Sequence, residues 1–107
     1  MRELKFRAWD TGAKRWTSGV MPVLTWLSLE LKPAHSGIII EQYTGLKDKN
    51  GKEICEGDIV KTCSIGTWAV EGRRGCFFVG KYALYGYNDY GEVIGNIHEN
   101  PELLKEK

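Results

Sequence analysis

The sequence predicts a single, mainly-β domain of 107 residues, closed by a short C-terminal helix. Three observations predict it. Glycine is abundant, with 13 residues against three prolines, and it punctuates short runs rich in β-branched and aromatic residues. Polar and apolar residues alternate at period two near the N-terminus, the pattern of a strand with one buried face. Turn signals are also dense: two of them separate three short extended pieces between Gln42 and Lys61.

Taken in order, Arg2 to Asp10 places Leu4, Phe6 and Ala8 on one face and Lys5, Arg7 and Trp9 on the other. Asp10-Thr11-Gly12-Ala13 reads as a turn, and Lys14-Arg15-Trp16-Thr17 returns from it. A four-residue loop sets Lys14 against Trp9 and Trp16 against Arg7, two cation–π pairs on one face. Val20 to Leu31 carries Leu27, Leu29 and Leu31 at period two, which predicts a second strand with one buried face. Lys32-Pro33-Ala34-His35-Ser36-Gly37 breaks it. Ile38-Ile39-Ile40 and Tyr43 then read as a strand buried on both sides.

Asp48-Lys49-Asn50-Gly51 suits a type I turn, with Asp favoured first and Gly tolerated where φ is positive. Two hairpin registers compete. A two-residue Asn-Gly loop opposes Lys49 to Lys52 and Asp48 to Glu53, which are repulsive like-charge pairs. A three-residue loop with Gly51 in the left-handed position opposes Asp48 to Lys52, Lys47 to Glu53 and Leu46 to Ile54. Each of those pairs is complementary, so the second register is predicted, with a charged tip in solvent. Glu56-Gly57-Asp58 is a further turn, and Ile59-Val60 opens another strand. Extended pieces follow at Thr62 to Ser64, Thr67 to Glu71 and Cys76 to Val79, with Gly72-Arg73-Arg74-Gly75 as a turn. Tyr82 to Tyr90 holds four tyrosines among Gly, Asn and Asp, a composition that leaves its element type open. Val93 to Ile97 is the last strand. Asn100-Pro101-Glu102 starts the helix: Asn caps it, Pro takes the first position and Glu suits the positive end of the dipole. Leu103 and Leu104 dock it.

Several functional classes lose support at this level. A net charge of +1 makes no global case for nucleic acid. No run approaches the ~18 apolar residues of a membrane span, so no membrane partner is expected. Met1-Arg2-Glu3 leads into a charged alternating strand, so no signal peptide is expected. Cys55, Cys63 and Cys76 are odd in number and read as reduced thiols of a cytoplasmic protein. They lack the close pairing of a structural zinc site, and no metal or cofactor is expected. No local motif joins a cysteine to His35 or His98, and no glycine pattern cradles a phosphate. Enzymatic activity is therefore not expected, and no catalytic residue is assigned.

Three blocks carry a family resemblance: KFRAWD at Lys5 to Asp10, QYTGLKDKNGKEICEGDIV at Gln42 to Val60, and EVIGNIHENPELL at Glu92 to Leu104. Together they resemble the YopX-like family of phage and prophage proteins. The resemblance implies a β-rich fold with an SH3-like barrel in its later part. Residues 1–41 are then an N-terminal β extension, with a hairpin, packed on a barrel at 42–107, within one YopX-like domain. It also implies an accessory protein encoded by a phage and working in the bacterial host cytoplasm. The family brings no assigned reaction, so no catalytic residue is carried over. Cys55 stands where the family has an aromatic residue, which leaves the thiol without a special role.

Two binding functions remain. The first is a non-catalytic protein-interaction module. Trp and Tyr are enriched at interface hot spots, and four Trp and five Tyr are many for so small a chain. Trp9 and Trp16, and Tyr85, Tyr87 and Tyr90 in an adaptable Gly/Asn-rich loop, are the candidate contacts. The partner is a protein of unknown identity or, through an exposed strand edge, a second copy. The alternative is a nucleic-acid-binding barrel. Six basic residues against three acids lie between Met1 and Lys32. Lys5, Arg7, Lys14 and Arg15 beside the tryptophans, with Arg73 and Arg74, track phosphates while the rings stack on bases.

Overall fold

A computed structural model of the protein describes residues 5–22, 38–73 and 76–104. The chain forms two compact units, Met1–Tyr43 and Thr44–Lys107. Mainly β structure builds both, in two sheets.

In the first unit, β1 (Lys5–Asp10) runs between β2 (Arg15–Pro22) and the part of β3 (Ile38–Lys47) that ends at Tyr43, antiparallel to both. The β1–β2 loop is Thr11 to Lys14, one residue later than the sequence suggests, because Asp10 both ends the strand and caps the loop. Its Oδ1 accepts hydrogen bonds from the amides of Gly12 (2.9 Å) and Ala13 (3.0 Å), and its carbonyl accepts one from the Lys14 amide at 2.7 Å. Lys14 closes the loop with φ of 56°, a left-handed conformation that a non-glycine residue adopts only when its surroundings impose it. The register therefore opposes Trp9 to Trp16 and Asp10 to Arg15. The shift is two residues in the pairing, so both tryptophans keep the shared face predicted for them. Lys14, expected opposite Trp9, lies in the loop instead.

The Ile38-Ile39-Ile40 segment is not buried on both sides. Ile39 is 40% and Ile40 53% exposed. The two point to opposite faces of β3, so neither face is fully buried at this level; Tyr43, farther along, is buried. The strand foreseen at Val20 to Leu31 contributes its start to β2. Its leucines at 27, 29 and 31 lie outside the described residues.

The second unit contains the rest of β3, β4 (Glu53–Cys55), and a five-stranded antiparallel sheet. That sheet comprises β5 (Asp58–Thr62), β6 (Gly66–Arg73), β7 (Cys76–Val79), β8 (Tyr82–Ala83) and β9 (Glu92–Asn96), in the order β8-β7-β6-β5-β9. Ile54, Val60, Val70, Val79 and Leu84 form its buried core. Leu46, Trp68, Phe77 and Val93 pack around them. The β3–β4 hairpin uses the three-residue loop. Gly51 has φ of 83°, its amide donates to the Asp48 carbonyl at 3.0 Å, and the Asp48 amide donates to the Lys52 carbonyl at 2.8 Å. The tip is not wholly solvated, however: Asp48 is only 6% exposed. The C-terminal helix is a single 3₁₀ turn, Pro101–Leu104, with Leu103 and Leu104 half-buried. Asn100 does not cap it through its side chain. Its Oδ1 accepts from the Asn96 amide at 3.3 Å, at the end of β9, while its carbonyl receives the Leu103 amide at 3.1 Å.

Candidate functional site

The tyrosine segment is an ordered loop built on β8. Leu84 is fully buried and opens a 3₁₀ turn, Leu84–Gly86. Its carbonyl accepts the amides of Tyr87 (2.8 Å) and Asn88 (2.9 Å), and the Tyr87 carbonyl accepts those of Tyr90 and Gly91, each at 3.1 Å. The far end closes against the core at Gly91, where a Cβ would stand 2.5 Å from Val60 Cγ1. Only glycine fits there without displacing the core.

This backbone sorts the four rings. Tyr82 and Tyr87 meet edge to face, with centroids 5.4 Å apart and planes at 66°, a favourable arrangement of ring quadrupoles. Lys81 Nζ lies 5.6 Å from the Tyr82 centroid. Among the described residues Tyr85 and Tyr90 have no such contact, and they stand 76% and 71% exposed. Of the three candidate tyrosines, two are therefore presented to solvent and Tyr87 is half-buried against Tyr82.

A second segment joins this loop. Asn88 is buried, and its side-chain amide donates to the Lys47 carbonyl at 2.8 Å. The Lys49 amide donates to the Gly91 carbonyl at 2.9 Å, and Lys49 Nζ lies 3.8 Å from Glu92 Oε1. The tip of the β3–β4 hairpin thus abuts the tyrosine loop. Asp48 secures the contact. Its Oδ1 accepts the amides of Asn50 and Lys52, and its Oδ2 accepts that of Val93 in β9, all at 2.9 Å. Burial by itself raises the Asp48 pKa, but the Val93, Lys52 and Asn50 amides and the Lys52 charge outweigh it, so the carboxyl titrates below the usual carboxylate range. Sequence reasoning saw Asp48 as a turn residue and Asn88 as loop composition. Neither position signals a partner 41 or 45 residues away.

The N-terminal hairpin is arranged differently. Trp9 is only 6% exposed and meets Trp16 edge to face at 4.9 Å. Arg7 stacks on Trp16, with Cζ 4.3 Å from the ring centroid, and its Nη2 lies 3.0 Å from Glu41 Oε1. Lys5 Nζ lies 4.7 Å from the Tyr43 ring centroid. Of the four hairpin cations, Lys14 and Arg15 are exposed at the loop. Arg73 stacks on Phe78, with Cζ 4.5 Å from the centroid, and donates to the Gly80 carbonyl; Arg74 lies outside the described residues. Among the described residues, the tryptophans and the basic residues do not form one open surface.

Cys55 is buried, while Cys63 and Cys76 are exposed and free. Among the described residues, no group of three or more His, Cys, Asp and Glu side chains is placed to hold a metal ion, and no helix is long and apolar enough to cross a membrane.

A family model described as YopX protein matches residues 25–105. Two of the three sequence blocks, at Gln42 to Val60 and Glu92 to Leu104, fall inside that range. A solved structure is also similar: the crystal structure of protein EF1440 from Enterococcus faecalis has a TM-score of 0.67 and 29% sequence identity, over 97% of this chain and 99% of that one. No curated protein matches the chain.

Proposed function

We propose a function from a fixed starting point: the chain belongs to the YopX family. It is a phage-encoded accessory protein of the host cytoplasm that works by binding another protein, not by catalysis. Its later part folds as a small barrel of the SH3-like kind, a reading supported by the short, meandering antiparallel strands β5 to β8 with β9 returned beside β5. The tyrosine loop is the contact surface.

One observation carries this proposal. Tyr85 and Tyr90 are 76% and 71% exposed on a backbone held by Leu84, Asn88 and Gly91. A ring on a pre-ordered loop loses little conformational freedom when a partner covers it, and so retains more of its burial energy as affinity. The test is a Tyr85→Ala/Tyr90→Ala double variant of a tagged chain, captured from phage-infected cells. Both residues are exposed, so its unfolding free energy should stay within about 0.5 kcal/mol of the parent. Partners held by the parent should be lost. If the same partners come down with the variant, the loop is not the contact surface.

The exposed Lys14 and Arg15 at the first hairpin loop are the observation that keeps nucleic acid as the second function. Against it, Arg7 is occupied by Glu41 and Trp16, and Lys5 by Tyr43. A nucleic-acid binder loses roughly 0.7–0.9 in log K per decade of salt for each phosphate contacted. Replacing Lys5, Arg7, Lys14 and Arg15 with Ala flattens that slope if these residues carry the contacts. Absence of binding to single- and double-stranded oligonucleotides at low salt ends this alternative.

A further inference from the structure

We propose that Asn50 is a site of spontaneous covalent modification, and that its isoaspartyl product detaches the tip of the β3–β4 hairpin from the tyrosine loop. The chain has four asparagines: Asn50, Asn88, Asn96 and Asn100. An asparagine side chain is lost when the backbone nitrogen of the next residue attacks it. The attack needs an N–H on that residue, little steric hindrance and access to water. Asn100 precedes Pro101, which has no N–H. Asn88 and Asn96 are buried and precede Asp89 and Ile97, whose side chains hinder the approach. Their side-chain amides are also engaged, with the Lys47 carbonyl at 2.8 Å and Glu99 Oε1 at 2.7 Å. Asn50 is exposed and is followed by an exposed glycine, Gly51. Among the described residues, no heavy atom lies within 4 Å of where a Gly51 Cβ would stand.

Water is the only co-reactant. The Gly51 nitrogen gives up its proton to solvent and bonds to Asn50 Cγ, while Nδ2 leaves as ammonia, so that a cyclic succinimide forms. Water then opens the ring. Cleavage of the new N–Cγ bond gives aspartate at position 50. Cleavage of the original peptide bond gives isoaspartate, whose main chain runs through Cβ and Cγ. The net change consumes water, releases ammonia and adds a carboxylate.

The hairpin tip both gates this reaction and is its target. The Gly51 amide donates to the Asp48 carbonyl at 3.0 Å, which withholds the nitrogen from attack, so the reaction runs from molecules whose tip has opened. Isoaspartate then inserts a methylene into the main chain between Asn50 Cα and the Gly51 nitrogen. Three hydrogen bonds of the tip span that point. They are the Gly51 amide to the Asp48 carbonyl, the Asp48 amide to the Lys52 carbonyl at 2.8 Å, and the Lys52 amide to Asp48 Oδ1 at 2.9 Å. A loop of three residues cannot take in another backbone atom and keep all three in bonding geometry. The contacts with the tyrosine loop and β9 start from the same tip: Lys47 to Asn88, Lys49 to Gly91, and Asp48 to Val93. Loss of the tip bonds frees that end of the loop, whether or not a partner covers Tyr85 and Tyr90.

The test ages the purified full chain in neutral buffer, both folded and in urea. Electron-transfer mass spectrometry of the digests separates isoaspartate from aspartate at position 50. Both samples should convert at Asn50, with isoaspartate the larger product and the folded chain the slower. Asp48→Ala, checked by thermal melting for a retained fold, should speed the folded chain about tenfold or more and leave the rate in urea unchanged. A folded parent that stays unmodified while the urea sample converts overturns the site, and a folded Asp48→Ala rate equal to the parent's overturns the gate. A second measurement needs only the parent and an exposed substitution. The isoaspartyl fraction, separated by anion exchange, is compared with Asn50→Asp, which has the same charge without the added methylene. Amide exchange at Tyr87 to Gly91 should quicken about fivefold or more in the isoaspartyl chain and stay within about twofold of the parent in Asn50→Asp. Exchange at the parent's rate in the isoaspartyl chain, or equal quickening in Asn50→Asp, overturns detachment by main-chain lengthening.

Discussion

The N-terminal hairpin and the tyrosine loop have nearly the same ingredients and opposite outcomes. Each brings bulky aromatic residues and basic side chains into a short stretch. In the hairpin the strands pair these groups with one another: Arg7 with Trp16 and Glu41, Lys5 with Tyr43, and Trp9 with Trp16. In the loop, one pair of rings is closed in the same way, Tyr82 on Tyr87, and the other two are left outside. The difference is geometric. Antiparallel strands hold facing side chains about 4.5–5.5 Å apart at Cβ, so rings and cations on one face satisfy each other. A 3₁₀ turn followed by a tight turn fans its side chains outward, and only those reaching back to the core find partners. Richness in Trp, Tyr, Lys and Arg marks a region for attention, and the backbone decides whether it is glue or surface.

Substitutions can break that contrast, beginning with the rings themselves. Trp9→Ala should cost about 3–5 kcal/mol of unfolding free energy, as for a buried aromatic, whereas Tyr85→Ala should change it by less than about 0.5 kcal/mol. Comparable losses for both in urea denaturation contradict the division between an internal and a presented set.

The charged pair in the hairpin comes next. Arg7 and Glu41 side chains are only 11% and 7% exposed. Removing one partner strands the other, so Arg7→Ala should cost about 3 kcal/mol, and an Arg7→Met/Glu41→Leu pair should recover most of it. A double variant as unstable as the single one shows that the pair does more than neutralise itself.

Asp48 tests the join between hairpin tip and loop. Asp48→Ala leaves three amides without their acceptor and should cost about 2–3 kcal/mol. Its pKa is lowered in the folded state from 3.8, so the unfolded chain binds the proton more tightly. The stabilisation is therefore complete above the unfolded pKa and lost as pH falls through the folded one. The urea midpoint of the parent should drop between about pH 5 and pH 2 by more than that of Asp48→Asn. Parallel pH profiles for the two proteins exclude Asp48 as the source.

Gly91 tests the other end of the loop. An added Cβ would stand 2.5 Å from Val60 Cγ1, so Gly91→Ala should cost about 1–2 kcal/mol by overpacking, and should loosen the loop. Amide hydrogen exchange should then quicken at Tyr87 to Gly91 while that of β1 is unchanged. Equal protection in the parent and the variant means that the loop is not held from this end.

Much of the architecture was written in short-range chemistry. Period-two alternation placed β1. The charge pairing across Asp48 and Lys52, with Gly51 free to take a positive φ, selected the three-residue hairpin loop. The three blocks of resemblance pointed to the family. These features depend on residues a few positions apart, or on pattern alone, and are legible without a fold. Exposure is not. Ile39 and Ile40 are as apolar as any core strand and yet lie open, while Asp48, which reads as a solvated tip, is buried because Val93 lies 45 residues downstream with an amide to satisfy. Asn100 has the sequence of a helix cap and instead closes the end of β9. The sequence by itself determined the β class, the turn chemistry and the family. The tertiary structure decided which polar groups find distant partners and which rings find none, because those outcomes depend on what the folded chain brings alongside each residue.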